Sequence, residues 1–373
     1  MYTQDNQDSI DIVIPSYRLD ESILLPIFGL QQPVGFIIKY YLISDNPAVS
    51  IPSSILQLAT AGKIVLIVNE KNLGFSPTRN LGIDAGRGEW ILLLDDDIIP
   101  APGLLLNYAY AIKNYPGSIG FIGLTSFPEP FNDVTKALFY NGSVGHFQSA
   151  LKSEQLPWAP TANVLLNRKL LGNRRFDPSL KLGGEDIELL AGNSLARGMR
   201  YISVPKAEVV HPWWNGGKQQ LRRLFRYGAG TAEVMNKKEF RSYAFIDFTN
   251  TSETLLLLLV LIVAGSIFGV NVRFLIWMLP VAVIAELITC IVRGVKISGE
   301  FAAGLLWQML LHKNMYEAGM LWNTLSNGRL HNFARRIDLG FAKKNPSPFR
   351  LNKWKIIKLT ITIIMIITCI LLT

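Results

Sequence analysis

The chain has 373 residues, with 37 Lys and Arg against 28 Asp and Glu, a formal net charge of +9. Hydrophobic residues make up 49% and charged residues 17%, which excludes a disordered chain and leaves room for a catalytic domain plus something smaller. Two cysteines, Cys290 and Cys369, exclude a disulfide framework, and both stand in strongly apolar runs. The positive balance points to a polyanionic partner: nucleic acid, anionic lipid or a phosphorylated substrate. The first residues carry Asp5, Asp8 and Asp11 and no basic flank, so no signal peptide is read there.

Up to about residue 253, short apolar runs alternate with Gly, Pro, Asn and Asp clusters, the pattern of an α/β domain. Residues 10–15 (IDIVIP) read as a strand, followed by a helix-like stretch. Residues 40–44 read as a second strand, ending in Asp45-Asn46-Pro47, and 64–68 as a third. Residues 81–85 look helical. Residues 90–94 (WILLL) form a fully apolar strand running into Asp95-Asp96-Asp97. This order predicts a mostly parallel central sheet with helices on both faces. Ligands of such sheets bind at the carboxyl ends of the strands.

Three adjacent carboxylates at the end of a buried strand repel one another and resist desolvation, a cost that a divalent cation relieves. Carboxylate oxygens suit Mg²⁺ or Mn²⁺. Alternation along an extended segment lets Asp95 and Asp97 face one metal while Asp96 points elsewhere; the plain alternative is an acidic turn capping a helix. Residues 72–82 (NLGFSPTRNLG) form a glycine-punctuated turn into a helix, able to present backbone N–H groups and Arg79 to an anion, unless Gly74 is only a turn glycine. Residues 183–188 (GGEDIE) place two glycines and then acids at the start of a helix over 187–197. Those acids either favour the helix dipole or supply a general base for a hydroxyl acceptor.

His211 follows an apolar strand-like stretch, 207–210. It either completes a metal site beside carboxylates or is structural. Trp213 and Trp214, if exposed, suit sugar stacking or an interfacial belt. Arg222, Arg223 and Arg226 lie within about one helical turn of each other. They read as a clamp on a diphosphate leaving group or lipid phosphate, or as a basic collar facing a membrane.

From residue 254 onward the chain is far more apolar. Residues 254–270 carry no charge, 274–292 only Glu286, and 359–373 none, with 356–357 joining the last run if Lys358 snorkels to the interface. A span needs about 17–25 apolar residues, so transmembrane helices are expected at about 254–270, 272–292 and 356–373. Glu286 has no basic partner evident within these runs. The tract 301–325 is apolar but holds His312, Lys313, Asn314 and Glu317, and is read as an interfacial helix. Residues 326–358 carry nine Lys or Arg and one acid, Asp338, so 326–355 is expected on the cytoplasmic side.

Taken in order, IPSY (14–17), SDN (44–46), NLGFSPTRNLGIDAGRGEWILLLDDD (72–97), GGEDIEL (183–189) and VVHP (209–212) resemble the family 2 glycosyltransferases of the GT-A fold, of the membrane-anchored bacterial type. The resemblance covers roughly residues 9–230. It implies a GT-A domain over 1–235, a juxtamembrane linker over 236–253 and a membrane region over 254–373. It also implies a bacterial plasma-membrane enzyme with several passes and a cytoplasmic catalytic domain. A nucleotide-diphosphate sugar would be the donor, and a lipid-linked or cell-envelope glycan the acceptor. Pro15, Tyr17 and Asp45 would lie along the base and ribose, and Arg79 would order the nucleotide pocket or its phosphates. Asp95 and Asp96 would belong to the donor site, with Asp97, Asp95 and His211 on the metal. Asp186 would be the base of an inverting transfer, held by Glu185. Trp213, Trp214, Arg222 and Arg223 would serve the acceptor or diphosphate.

Processive polysaccharide synthases carry Q-x-x-R-W after the base. Here Gln219 and Arg222 are present but Arg223 stands where the Trp would be. That favours single addition, with a processive synthase or a non-catalytic nucleotide-sugar-binding membrane scaffold as alternatives. The charge supports this placement. Residues 293–358 hold twelve Lys or Arg and three acids, which is the whole +9 excess. The excess therefore flanks the membrane region, pointing to anionic lipid headgroups and away from nucleic acid.

Overall fold

The computed structural model describes residues 8–372, which divide into two compact units. The first takes the residues up to Glu129, then Val144–Lys181 and Glu185–Gly216; the second takes Pro130–Ser143, Leu182–Gly184 and the residues from Gly217 on. The second unit thus draws a segment, Pro130–Ser143, from within the first unit's stretch of sequence and continues from Gly217.

Among the described residues of the first unit, nine strands form one sheet: β1 (Asp8–Ser16), β2 (Phe36–Ser44), β3 (Ile64–Val68), β4 (Trp90–Leu94), β5 (Ile99–Pro100), β6 (Gly120–Ser126), β7 (Gln155–Leu156), β8 (Asn163–Asn167) and β9 (Tyr201–Val210). The order is β3-β2-β1-β4-β8-β6-β9-β5, with β7 beside β9. Strands β1 to β4 pair in parallel, whereas β8 is antiparallel to both β4 and β6. The apolar runs IDIVI and WILLL are buried because helices cover both faces of a parallel sheet. These helices include α1 (Glu21–Phe28), α2 (Ser53–Thr60), α3 (Phe75–Ala85) and α4 (Leu104–Asn114).

Helix α3 starts six residues earlier than its apolar spacing suggests. Gly74 caps it with φ 86°, a conformation that favours glycine. Gly82 lets α3 lie close on the sheet, since a Cβ there would come within 2.4 Å of Val13 and 2.7 Å of Ile43. The glycines of the 72–82 motif thus have separate tasks, one in the turn and one in packing.

The second unit is helical. Helix α5 (Asp133–Tyr140) belongs to it, while α6 (Arg168–Leu171) and α7 (Gly192–Arg197) belong to the first. It continues with α8 (Leu221–Val234), α9 (Thr251–Ile267), α10 (Arg273–Ser298), α11 (Ala303–Ser326) and α12 (Lys353–Leu372). The short strands β10 (Ala244–Ile246) and β11 (Arg335–Ile337) pair antiparallel. Helices α8 and α11 cross with their backbones nearly touching. A Cβ on Gly228 would lie 1.9 Å from the Tyr316 carbonyl oxygen, and one on Gly319 1.9 Å from that of Phe225. The Tyr316 hydroxyl then donates to Thr231 Oγ1 at 2.8 Å.

Three spans were expected; among the described residues, two helices are long and apolar enough to cross a membrane, Arg273–Ser298 and Lys353–Leu371. Helix α9 has 17 residues, roughly 25 Å at 1.5 Å per residue, short of the ~30 Å hydrocarbon core. Lys358 does not snorkel. Its Nζ donates to Glu286 Oε2 at 2.7 Å and to Thr251 Oγ1 at 2.7 Å. Lys313 Nζ reaches Glu286 Oε1 at 2.7 Å and Glu317 at 2.8 Å. Glu286 therefore does have basic partners. They lie on α11 and at the start of α12, outside the uninterrupted apolar runs, where only the packing of helices brings them together.

Candidate active site

The carboxyl ends of β1, β2 and β4 lie along one edge because these strands are parallel. Ser16 stands opposite Ser44, and the Asp45 N–H donates to Ser16 O at 2.8 Å. Asp95, Asp96 and Asp97 follow β4 directly and take three different roles.

Asp96 turns back to the end of β1. It accepts from Ser16 Oγ at 2.8 Å, from the Tyr17 N–H at 3.2 Å and from Arg18 Nη2 at 2.7 Å. It is buried and braces the Pro15–Ser16–Tyr17 turn. Tyr17 itself is half exposed at that turn. Asp45 is a support of the same kind. It accepts from Asn69 Nδ2 at 2.8 Å and from the N–H groups of Leu73 and Gly74 at 2.8 and 2.9 Å. It thereby holds the loop that leads into α3. With about four acceptor positions on a carboxylate, three are used internally.

Asp95 and Asp97 converge with His211, which follows β9; one ligand atom of each lies within 4.8 Å of the others. His211 Nδ1 lies 2.6 Å from the carbonyl oxygen of Pro212. A carbonyl only accepts, so Nδ1 carries a hydrogen and Nε2 is the ring atom left to face the carboxylates. Nε2 lies 3.3 Å from Asp97 Oδ1. Two carboxylates and one imidazole nitrogen at this spacing form a donor set that fits a divalent metal. Burial pushes the Asp97 carboxyl above its ordinary value; His211 and Arg18 oppose this and Asp95 adds to it.

Trp213 and Trp214 are 4% and 6% exposed, which corrects the reading of an exposed aromatic pair. Phe127 stacks on His211 at 5.2 Å and packs against Trp213 at 5.1 Å, and Phe147 closes the cluster against His211 and Trp214. The Trp213 indole N–H donates to Pro128 O at 3.0 Å. The tryptophans thus back the two phenylalanines that pack on the imidazole. Their burial was not legible because Phe127 and Phe147 lie some 65–85 residues earlier in the chain.

Across the same edge stand Glu185 and Asp186. The 187–197 helix opens with a wide π turn over Ile187–Ala191 before becoming α7. Asp186 Oδ1 accepts from Thr161 Oγ1 at 2.8 Å. Arg79 joins the two sides: Nη2 donates to Asp95 Oδ1 at 2.8 Å, and Nη1 lies 3.5 Å from Glu185 Oε1. Burial raises the pKa of both Glu185 and Asp186. The neighbouring Asp186 charge adds to the rise at Glu185, and Arg79 opposes it at both. Arg222 is exposed and Arg223 half-buried on α8, in the second unit.

Sequence reasoning missed Arg18 and Thr161. Arg18 Nη2 bridges Asp96 at 2.7 Å and Asp97 at 2.9 Å. Its position directly after Tyr17 was the available signal. Thr161 lies in the loop before β8 and has no local signature; only the antiparallel placement of β8 beside β4 brings it in.

Comparison with known proteins gives consistent results. Residues 12–173 match the model of glycosyl transferase family 2. The succinoglycan biosynthesis protein ExoO of Rhizobium meliloti (strain 1021) is 26% identical over 239 residues, covering 59% of this chain and 65% of that protein. The match thus spans a little under two thirds of the relative. Among solved structures, the mannosyltransferase PcManGT from Pyrobaculum calidifontis, in complex with GDP-Man and Mn²⁺, aligns with a TM-score of 0.54 at 14% identity. The alignment covers 85% of this chain and 87% of that one. At that identity the likeness is one of fold.

Proposed function

Because the chain carries a family 2 glycosyltransferase domain on a GT-A fold, we propose that it transfers a sugar from a nucleotide-diphosphate donor to a hydroxyl with inversion at the anomeric carbon. The acceptor is a lipid-linked or cell-envelope glycan. The observation that carries this is the juxtaposition of two carboxylate groups across Arg79: Asp95 and Asp97 with His211 on one side, Asp186 with Glu185 on the other.

Asp95, Asp97 and His211 are the residues that would hold Mg²⁺ or Mn²⁺. Such a cation supplies charge neutralisation for the departing diphosphate. Asp186 takes the proton of the acceptor hydroxyl as its oxygen attacks the anomeric carbon from the face opposite the leaving group. A single displacement inverts the configuration. Burial raises the pKa of Asp186, which makes its carboxylate a stronger base than that of an exposed aspartate. Thr161 holds one carboxylate oxygen and so orients the other.

The same reading puts the chain in a bacterial plasma membrane with its catalytic domain cytoplasmic. The length and apolar character of α10 and α12 support attachment. On α11, Trp307, Leu311, Met315, Ala318, Trp322 and Leu325 recur at spacings of three and four. Trp307 and Trp322 are 56% and 58% exposed, which supports an interfacial helix with aromatic ends. A panel of nucleotide sugars, assayed with Mn²⁺ and membrane lipid extract, tests the activity. Release of nucleoside diphosphate that depends on both metal and acceptor is expected. Donor binding without any turnover would leave only the scaffold alternative, and long products would mark the processive one.

A further inference from the structure

The resemblance has Arg79 order the nucleotide pocket or its phosphates; its surroundings suit a task between the acids. Its side chain is buried in the first unit, 8% exposed. Nη2 is committed to Asp95 and Nη1 faces Glu185. The guanidinium carbon lies 5.5 Å from the Phe176 ring centroid, and Nε is buried without a hydrogen-bond partner. An arginine that grips phosphate presents an open fork of N–H donors. This one is wedged between carboxylates, with an aromatic ring against it. Among the described residues, Asp95 and Glu185 have no other ion-pair partner.

We propose that Arg79 is a positioning residue that ties the acceptor-side base to the donor side of the site and does not bind the donor's phosphates. One nitrogen holds Asp95 and another holds Glu185. The carboxylate of Asp186, next in the chain and fixed by Thr161, is thereby set relative to Asp95 and Asp97. Without the guanidinium, Asp95 and Glu185 lose the donor between them, and the Asp95 and Asp186 carboxylates repel across a partly desolvated corner. A lysine keeps the charge but, as a point donor, cannot hold both acids in a fixed fork. The inference rests on Asp186 acting as the base.

The test compares wild type with Arg79→Lys and Arg79→Met. Binding of the common nucleoside diphosphates with Mn²⁺ is measured by calorimetry, alongside kcat and KM for whichever donor wild type turns over. The expected result is nucleotide affinity and binding stoichiometry within about twofold of wild type. Turnover should fall about tenfold in the lysine variant and about a hundredfold in the methionine variant, with donor KM little changed. A tenfold or greater loss of nucleotide affinity with kcat retained at saturating donor would overturn the proposal and return Arg79 to the phosphates. A parallel fall in stoichiometry and turnover would overturn it too, by marking a folding role. If the methionine variant does not fold, the lysine variant and Glu185→Gln carry the same comparison, each expected to lose turnover and keep nucleotide binding. Should wild type turn over no donor at all, the transferase reading fails; the nucleotide titrations still decide whether Arg79 is a phosphate ligand.

Discussion

Two charged clusters, one in each unit, follow opposite rules. At the strand ends of the first unit, Asp95, Asp96, Asp97, Glu185 and Asp186 meet Arg18 and Arg79, five acids against two arginines among the described residues. In the helical unit, Glu286 and Glu317 meet Lys313 and Lys358, two against two. The first leaves acids in excess around the His211 imidazole. The second closes on itself and receives further hydrogen bonds from Thr251 and Asn314. An unbalanced cluster is costly to fold and is kept for a cationic or basic task; a balanced one ties helices together.

The comparison breaks most readily at Asp186. Asp186→Asn is expected to reduce turnover about 10²- to 10⁴-fold with nucleotide binding unchanged; normal turnover in that variant would remove the base. Next comes the balanced cluster. Glu286→Ala strands Lys358 and leaves Lys313 with Glu317 alone, and is expected to cost about 3–5 kcal/mol, read as a large fall in melting temperature in detergent. Restoring neutrality with Glu286→Gln plus Lys358→Met should recover much of that loss. If Glu286→Ala melts like wild type, the cluster is not what ties α9, α10, α11 and α12.

A smaller effect is expected at the candidate metal corner of Asp95, Asp97 and His211. Replacing Phe127 or Trp213 with Leu releases the wall behind His211 and should weaken Mn²⁺ binding about 10- to 100-fold, measurable by electron paramagnetic resonance. Unchanged affinity would mean that the imidazole does not need that wall.

The smallest effect concerns pH. Glu185 has its pKa raised by burial and by the Asp186 charge to about 8. The folded protein therefore holds a proton that the unfolded chain has released, and stability falls as pH rises from the ordinary carboxylate value toward about 8. Glu185→Gln removes that titration. Its melting temperature relative to wild type should rise with pH across this window even as activity drops. A flat difference would show that Glu185 does not carry the linkage.

Much of the site was legible because it is carried by contiguous residues. WILLL followed by Asp95-Asp96-Asp97, the Gly74 and Gly82 pair around Arg79, and the Glu185-Asp186 step are local patterns. A parallel sheet sends such strand ends to one edge. The split among the three aspartates was legible only in part: alternation sets Asp96 apart, but its grip on Ser16 and Arg18 depends on β1 lying beside β4. The burial of Trp213 and Trp214 was not legible, since a tryptophan pair looks alike in sequence whether it faces water or Phe127.

The sequence alone therefore determined the elements and the chemical types: apolar strands ending in acids, a basic segment flanking apolar helices, and a histidine placed after a strand. Periodicity and side-chain chemistry act over a few residues, and that is the range a linear reading covers. Only the tertiary structure decided which charges meet. Arg79 reaches Glu185 across 106 positions and Lys358 reaches Glu286 across 72. Such pairs depend on strand order and helix crossing, and the energy of a buried charge depends on what surrounds it in space.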